Sequence, residues 1–150
     1  MDTDPRLPAV QVTAAIAAAA LLRAMFGPVG HLGATLPHHG QATSMVLEAF
    51  LTFFLVAVIL GTAAGHKLIG HNAALASAGV IALDDLFAAP ISGASMNPAR
   101  SLGPDLLAGT MSTYWVYLAG PVIGAPAAVV LAAALHGGSN RNERHAAVGA

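Results

Sequence analysis

The chain has 150 residues, of which 56% are hydrophobic and 9% charged, with a formal net charge of −1 and no cysteine. Its mean hydropathy of +0.70 is high for a soluble domain, so the composition reads as a membrane protein. The lack of cysteine excludes disulfide frameworks, thiol catalysis and thiolate metal sites, and the near-neutral charge offers nucleic acid no basic field.

The first apolar run is 7–26, alanine-rich, with Gln11 and Thr13 near one end and Arg23 near the other, long enough to span and with Arg23 able to snorkel. Asp2 and Asp4 accompany Arg6 where a secretory signal carries positive charge, which argues against a cleaved leader. Residues 27–44 carry four glycines and two prolines and read as a loop. The clearest span is 45–64, interrupted only by Glu48; a short loop with Lys67 follows, then a weaker span over 73–87 that contains Asp84 and Asp85.

Residues 88–96 are expected as an extended approach to a short helix over 97–108. Asn97 is a strong N-cap and Pro98 suits the first helical position. Twelve residues of helix extend about 18 Å, roughly half the hydrocarbon thickness, so this helix is a half-span that begins inside the membrane. The last span, 114–135, is uncharged, with Tyr114, Trp115 and Tyr117 at its entrance as an interfacial belt, and a polar tail covers 137–150. Arg6, Lys67, Arg141 and Arg144 fall on one side of these four spans, which makes that side, and both termini, cytoplasmic. The domain expected is one all-α membrane unit over 1–150.

The sequences Glu48-Ala49-Phe50-Leu51-Thr52-Phe53-Phe54-Leu55, Pro90 through Pro104 around Gly93-Ala94-Ser95-Met96-Asn97-Pro98-Ala99-Arg100, and Tyr114-Trp115-Val116-Tyr117-Leu118-Ala119-Gly120-Pro121 carry a resemblance. In that order and spacing the chain, over about residues 8–135, resembles the second half of the major intrinsic protein family, the aquaporins and aquaglyceroporins. The resemblance implies an incomplete aquaporin-like fold, with the first two spans and the first half-helix missing, in a plasma or inner membrane. It implies a passive channel for water or small neutral solutes such as glycerol, tetrameric assembly, and neither cofactor, metal nor reaction. Asn97-Pro98-Ala99 becomes the pore motif, Arg100, Ala94 and Asp85 a selectivity ring, and Glu48 the support of the re-entrant loop.

Physics agrees with those roles. A half-helix starting at the midplane turns unpaired N–H groups and its positive dipole end toward the pore, which disfavours cations and protons. Asn97 adds a side-chain amide donor, and Arg100, one turn further out on the same face, adds a fixed charge. Asp85 departs from the family's pattern, in which histidine or small and aliphatic residues occupy that position; pairing with Arg100 is one expectation, and simple contact with interfacial water the other. Gly120 and Gly124 read as close helix packing, and His31, His38, His39, His66 and His71 as solvated loop residues.

Catalysis is not expected: adjacent aspartates on one helix make a poor dyad, and no serine or zinc hydrolase motif is present. Inverted-repeat channels of this type need two half-helices, and Asn-Pro-Ala occurs once here. A single chain therefore cannot close such a pore. A truncated channel is the leading expectation; the alternative is a non-conducting fragment or modulatory subunit of full-length channels.

Overall fold

A computed structural model describes residues 6–63 and 67–136. His66, Arg141, Arg144 and the rest of the tail, on which part of the charge argument falls, lie outside the described residues, as do the side chains of Lys67 and His71. The described residues form five α-helices and no strand: α1 (Leu7–Phe26), α2 (Gln41–Ala63), α3 (Lys67–Ser92), α4 (Pro98–Ala108) and α5 (Tyr114–His136). Four of these elements contain segments long and apolar enough to cross a membrane, namely Leu7–Phe26, Gln41–Thr62, Asn72–Ser92 and Met111–Leu135. The chain is a multi-pass, all-α membrane protein. Its outer faces agree, with Leu86 79% and Val130 69% exposed as lipid-facing side chains are.

Two boundaries differ from the sequence reading. Helix α2 starts at Gln41, not Met45, because tertiary partners hold its polar first turn: the Trp115 indole N–H donates to Gln41 Oε1 at 2.8 Å, and Ser44 Oγ donates to the Ile91 carbonyl at 3.4 Å. Helix α3 runs from Lys67 through Pro90 to Ser92, so the extended approach is only residues 93–97, not 88–96. Proline in a helix costs one backbone hydrogen bond, which neighbouring helices make tolerable within a membrane.

Helix α2 is the centre, with α5 packed on one side and α3 on another, while α4 bridges α5 and α1. Small residues make the closest approaches. A Cβ on Gly120 would stand 2.6 Å from the Glu48 Cβ, and one on Gly124 would run into the Ala49 carbonyl oxygen. Gly103 likewise lets α4 lie against the backbone of Ala15 and Ile16 on α1. Such contacts are how helices associate where lipid removes the usual hydrophobic driving force. Between α2 and α3, Leu51, Ala88, Ala94 and Met96 form a core with Leu47, Leu55 and Ala89 against it.

Candidate functional site

The segment between α3 and α4 has a backbone that few residues adopt. Gly93 (φ 88°), Ala94 (φ 46°) and Met96 (φ 52°) are all left-handed, which is easy for glycine and costs the others about 1–2 kcal/mol each. Glu48 explains how the conformation persists. Its Oε1 accepts from Ser92 Oγ at 2.8 Å and from the Ser95 N–H at 2.9 Å, and its Oε2 accepts from the Met96 N–H at 2.8 Å. The Ala94 N–H donates to Ser92 Oγ at 3.2 Å, so three successive peptide donors converge on one wholly buried carboxyl group and the serine bound to it.

Asn97 then starts α4. Its backbone is extended (φ −147°, ψ 109°), and its Oδ1 accepts from the N–H groups of Ala99 at 3.0 Å and Arg100 at 3.3 Å. With the oxygen engaged in capping, the side-chain amide nitrogen is the donor left over. Helix α4 has 11 residues, about 16 Å, against 23 residues in α2. Asn97 shares a cavity with Leu55 and Ile81, both near the midpoints of their helices, so α4 begins about halfway along its neighbours.

Other groups fix the half-helix from outside. Thr35 Oγ1 and Ser101 Oγ are 2.6 Å apart, and Ser101 Oγ is 2.5 Å from Ser95 Oγ, which donates to the Asn97 carbonyl at 3.0 Å. Tyr114 Oη donates to the Pro98 carbonyl at 3.2 Å. Arg23 does more than snorkel: its Nη1 donates to the Leu107 carbonyl at 2.6 Å, placing a cation at the negative end of the α4 dipole. Tyr117, read as part of an interfacial belt, is instead wholly buried and donates to the Ser92 carbonyl at 2.6 Å. A buried tyrosine hydroxyl needs a partner, and the end of α3 supplies one.

Asp85, Ala94, Asn97 and Arg100 line one cavity of about 340 Å³, together with Leu55 and Ile81. Pro98 lines it too, whereas Ala99 faces a second groove of about 470 Å³ on the α1 side, which Asn97 and Arg100 also line together with Gln11, Ala14, Ala18 and Leu22. Neither the Asp85 carboxyl nor the Arg100 guanidinium makes a hydrogen bond or salt bridge within the described residues, so the expected pairing of the two is not formed. Asp84 points elsewhere: it is buried, and its Oδ2 has no hydrogen-bond partner among the described residues. Adjacent residues diverge by about 100° on a helix, which separates the two acids. His31, His38 and His39 are exposed in the loop between α1 and α2.

Sequence reasoning selected Glu48 but not its serine and peptide partners, and it missed Thr35, Arg23 and Tyr117 as anchors. The hydroxyls of Ser92, Ser95 and Ser101, spaced through an apolar stretch, were the one available signal.

Comparison with known proteins gives the same direction. A family model described as "Major intrinsic protein" matches residues 7–132. Aquaporin NIP1-4 of Oryza sativa subsp. japonica is 46% identical over 127 residues, covering 82% of this chain and 45% of that protein. Aquaporin NIP1-1 of the same plant is 48% identical over 124 residues, covering 82% and 44% respectively. Aquaporin NIP1-1 of Zea mays is 47% identical over 118 residues, covering 78% and 42%. The chain thus spans less than half the length of these relatives.

Proposed function

The chain belongs to the major intrinsic protein family, and on that premise we propose that it forms half the wall of a passive transmembrane channel for water and small neutral solutes. The observation that carries this is the capped α4 N-terminus opening midway along α2 and α3 onto a cavity that Asn97 and Arg100 both line. Irregular backbone at membrane depth is tolerated where it borders a watery passage, and residues 93–97 are such backbone.

In this reading the α4 dipole and the Asn97 amide meet permeating molecules at the midplane and orient their oxygen atoms, while the Arg100 charge turns cations away. Ala94 keeps the ring open beside Arg100, and Asp85 faces them from α3. Glu48 positions the loop. Pro98 presets the first helical turn, and Ala99 keeps the α1 side free of bulk for whatever completes the pore. The site calls for no cofactor, and no reaction is involved. The termini lie on the cytoplasmic side of a plasma or inner membrane, and complete channels assemble as homo-oligomers, in keeping with the family resemblance.

The test is osmotic swelling of proteoliposomes. The chain is reconstituted alone and joined to the portion of rice aquaporin NIP1-1 that it does not span. Swelling above bare lipid in the joined form supports the channel; a joined protein that inserts but stays silent overturns it in favour of a non-conducting, modulatory subunit.

A further inference from the structure

The turn Val29–Gly33, between α1 and α2, is a second strained piece of backbone. Gly30, His31 and Leu32 stand in succession at φ 57°, 48° and 58°, with ψ between 26° and 30°. A run of left-handed residues is unfavourable wherever a side chain is carried, so His31 and Leu32 hold this backbone under strain. Little presses on the turn from outside: Val29 is 71% exposed, and a Cβ on Gly30 or Gly33 would meet nothing within 4 Å. Its one buried residue is Leu32, 4% exposed, so the burial of that side chain is what opposes the strain. Leu32 also stands in a wall. With Leu22 and Gly33 it borders both the groove of about 470 Å³ on the α1 side, which Asn97 and Arg100 line, and a separate hollow of about 310 Å³ at the C-terminal end of α1, which Phe26 and Val29 line.

From this arrangement we infer that Leu32 is a gate: the left-handed turn holds its side chain in the wall of the α1-side groove, and relaxation of the turn carries it into the hollow at the end of α1, joining the two spaces. The observed conformation is the closed one. The hollow has room for an isobutyl group, and Gly33, which borders both spaces, has no side chain to bar the way. Two opposed effects set the balance. Burial of Leu32 favours the closed state, whereas the left-handed backbone of His31 and Leu32 favours release, so a small change at the turn moves the population. An apolar side chain at a narrow point drives water out of it, and its withdrawal lets water return. The gate lies in the turn after α1, apart from Asp85 on α3, and it controls how much passes rather than which solute.

The inference rests on the channel reading, and the experiment separates the two. Proteoliposomes carrying the joined protein described above are assayed by stopped-flow light scattering after an osmotic step, with permeability expressed per inserted protein. Leu32→Ala removes the gating group and is expected to raise water permeability about threefold or more. Gly30→Val keeps Leu32 and adds a branched side chain that meets no neighbour but avoids the left-handed region, so it is expected to raise permeability about as much through the backbone alone. His31→Gly relieves strain in the closed turn; it is expected to lower permeability about threefold, and to have no effect once Leu32 is alanine. Equal permeability in the parent and these variants, with the parent above bare lipid, overturns the gate and leaves the channel standing. A rise in Leu32→Ala without one in Gly30→Val marks a fixed constriction and overturns the moving gate as well. A parent and variants that all stay at the level of bare lipid overturn the channel, and the gate with it.

Discussion

The backbone N–H of Met96 donates to Oε2 of Glu48 at 2.8 Å, a bond between residues 48 positions apart that ties the loop before α4 to the middle of the bundle. The other oxygen of the same carboxyl group takes Ser92 Oγ and the Ser95 N–H, and Glu48 itself is fully buried. One side chain on α2 therefore sets where the half-helix begins.

Replacing that side chain tests how much of the loop depends on it. Glu48→Gln keeps one acceptor oxygen but turns an NH₂ toward a peptide N–H, so at least one of the three bonds becomes a donor facing a donor. Leaving a buried donor unmet costs about 1–3 kcal/mol. The expected outcome is lower resistance to unfolding in mixed detergent micelles by that amount, with faster hydrogen exchange at the amides of Ser95 and Met96. Unaltered exchange at those two amides contradicts the assignment.

Ala94 separates backbone strain from side-chain contact. It sits at φ 46° with 3% exposure, and a left-handed alanine costs about 1–2 kcal/mol that glycine does not pay. Glycine in turn loses about 0.4–1 kcal/mol through the greater freedom of the unfolded chain. The two effects nearly offset, so Ala94→Gly is expected to change stability by less than about 1 kcal/mol. Ala94→Val adds β-branching to a conformation that branched residues avoid, and fills part of the cavity besides. It is expected to destabilise by about 2 kcal/mol and to narrow the passage. Thermal unfolding of the two variants in the same detergent reads the difference, and a Val variant as stable as the Gly variant refutes the strain argument.

Much of this architecture was legible because membrane physics leaves few options. The run 7–26, polar only at Gln11, Thr13 and Arg23, and the uncharged run 114–135 can hardly be anything but spans, and Asn97-Pro98 announces a helix start by its own cap chemistry. What stayed hidden were the features that depend on partners distant in sequence. Gln41 to Ser44 read as loop because their polarity is satisfied by Trp115 and Ile91, which no local pattern reveals. Residues 88–92 read as extended approach, yet α3 continues through Pro90 to Ser92. Tyr117 and Arg23 looked like interfacial residues by composition, and each proves to hold a carbonyl oxygen at a helix end. Of the two acids at 84 and 85, the resemblance had already singled out Asp85; that it shares a cavity with Arg100 without pairing to it, and that Asp84 is buried, came from the fold.

Gly124 tests the α2–α5 interface. A Cβ at this position meets the Ala49 carbonyl oxygen, which is backbone and cannot swing aside, and lies 3.0 Å from the Phe53 nitrogen. The helices must separate to admit it, at an expected cost of about 1–3 kcal/mol. Gly79 on α3 is the control, since a Cβ there meets nothing within 4 Å. Gly79→Ala is expected to be neutral or stabilising by up to about 1 kcal/mol from helix propensity alone. Equal unfolding midpoints for Gly124→Ala and Gly79→Ala eliminate the close-approach account.

Thr35 and Ser101 lie 66 positions apart and share a hydroxyl contact of 2.6 Å, with Ser95 Oγ a further 2.5 Å from Ser101. All three side chains are buried, at 2%, 0% and 5% exposure, so none can turn to bulk water when its neighbour is removed. Ser101→Ala takes the central hydroxyl and breaks two contacts at once, Ser95 keeping its bond to the Asn97 carbonyl, whereas Thr35→Val takes one end and leaves Ser101 still bound to Ser95. The first substitution is therefore expected to cost about 2 kcal/mol and the second about 1 kcal/mol. Once Ser101 is alanine, the Thr35 hydroxyl has lost its place in the chain and keeps only its contact with the Tyr117 hydroxyl, so replacing it with a methyl group gives up less than in the parent. Thr35→Val in the Ser101→Ala background is accordingly expected to cost less than in the parent, giving a coupling of about 0.5–1 kcal/mol in a double-mutant cycle. Unfolding free energies measured for the four proteins decide it: simple additivity means that the loop between α1 and α2 does not hold α4 through this hydroxyl chain, and that the contacts of Arg23, Glu48 and Tyr114 and the packing at Gly103 fix the half-helix without it.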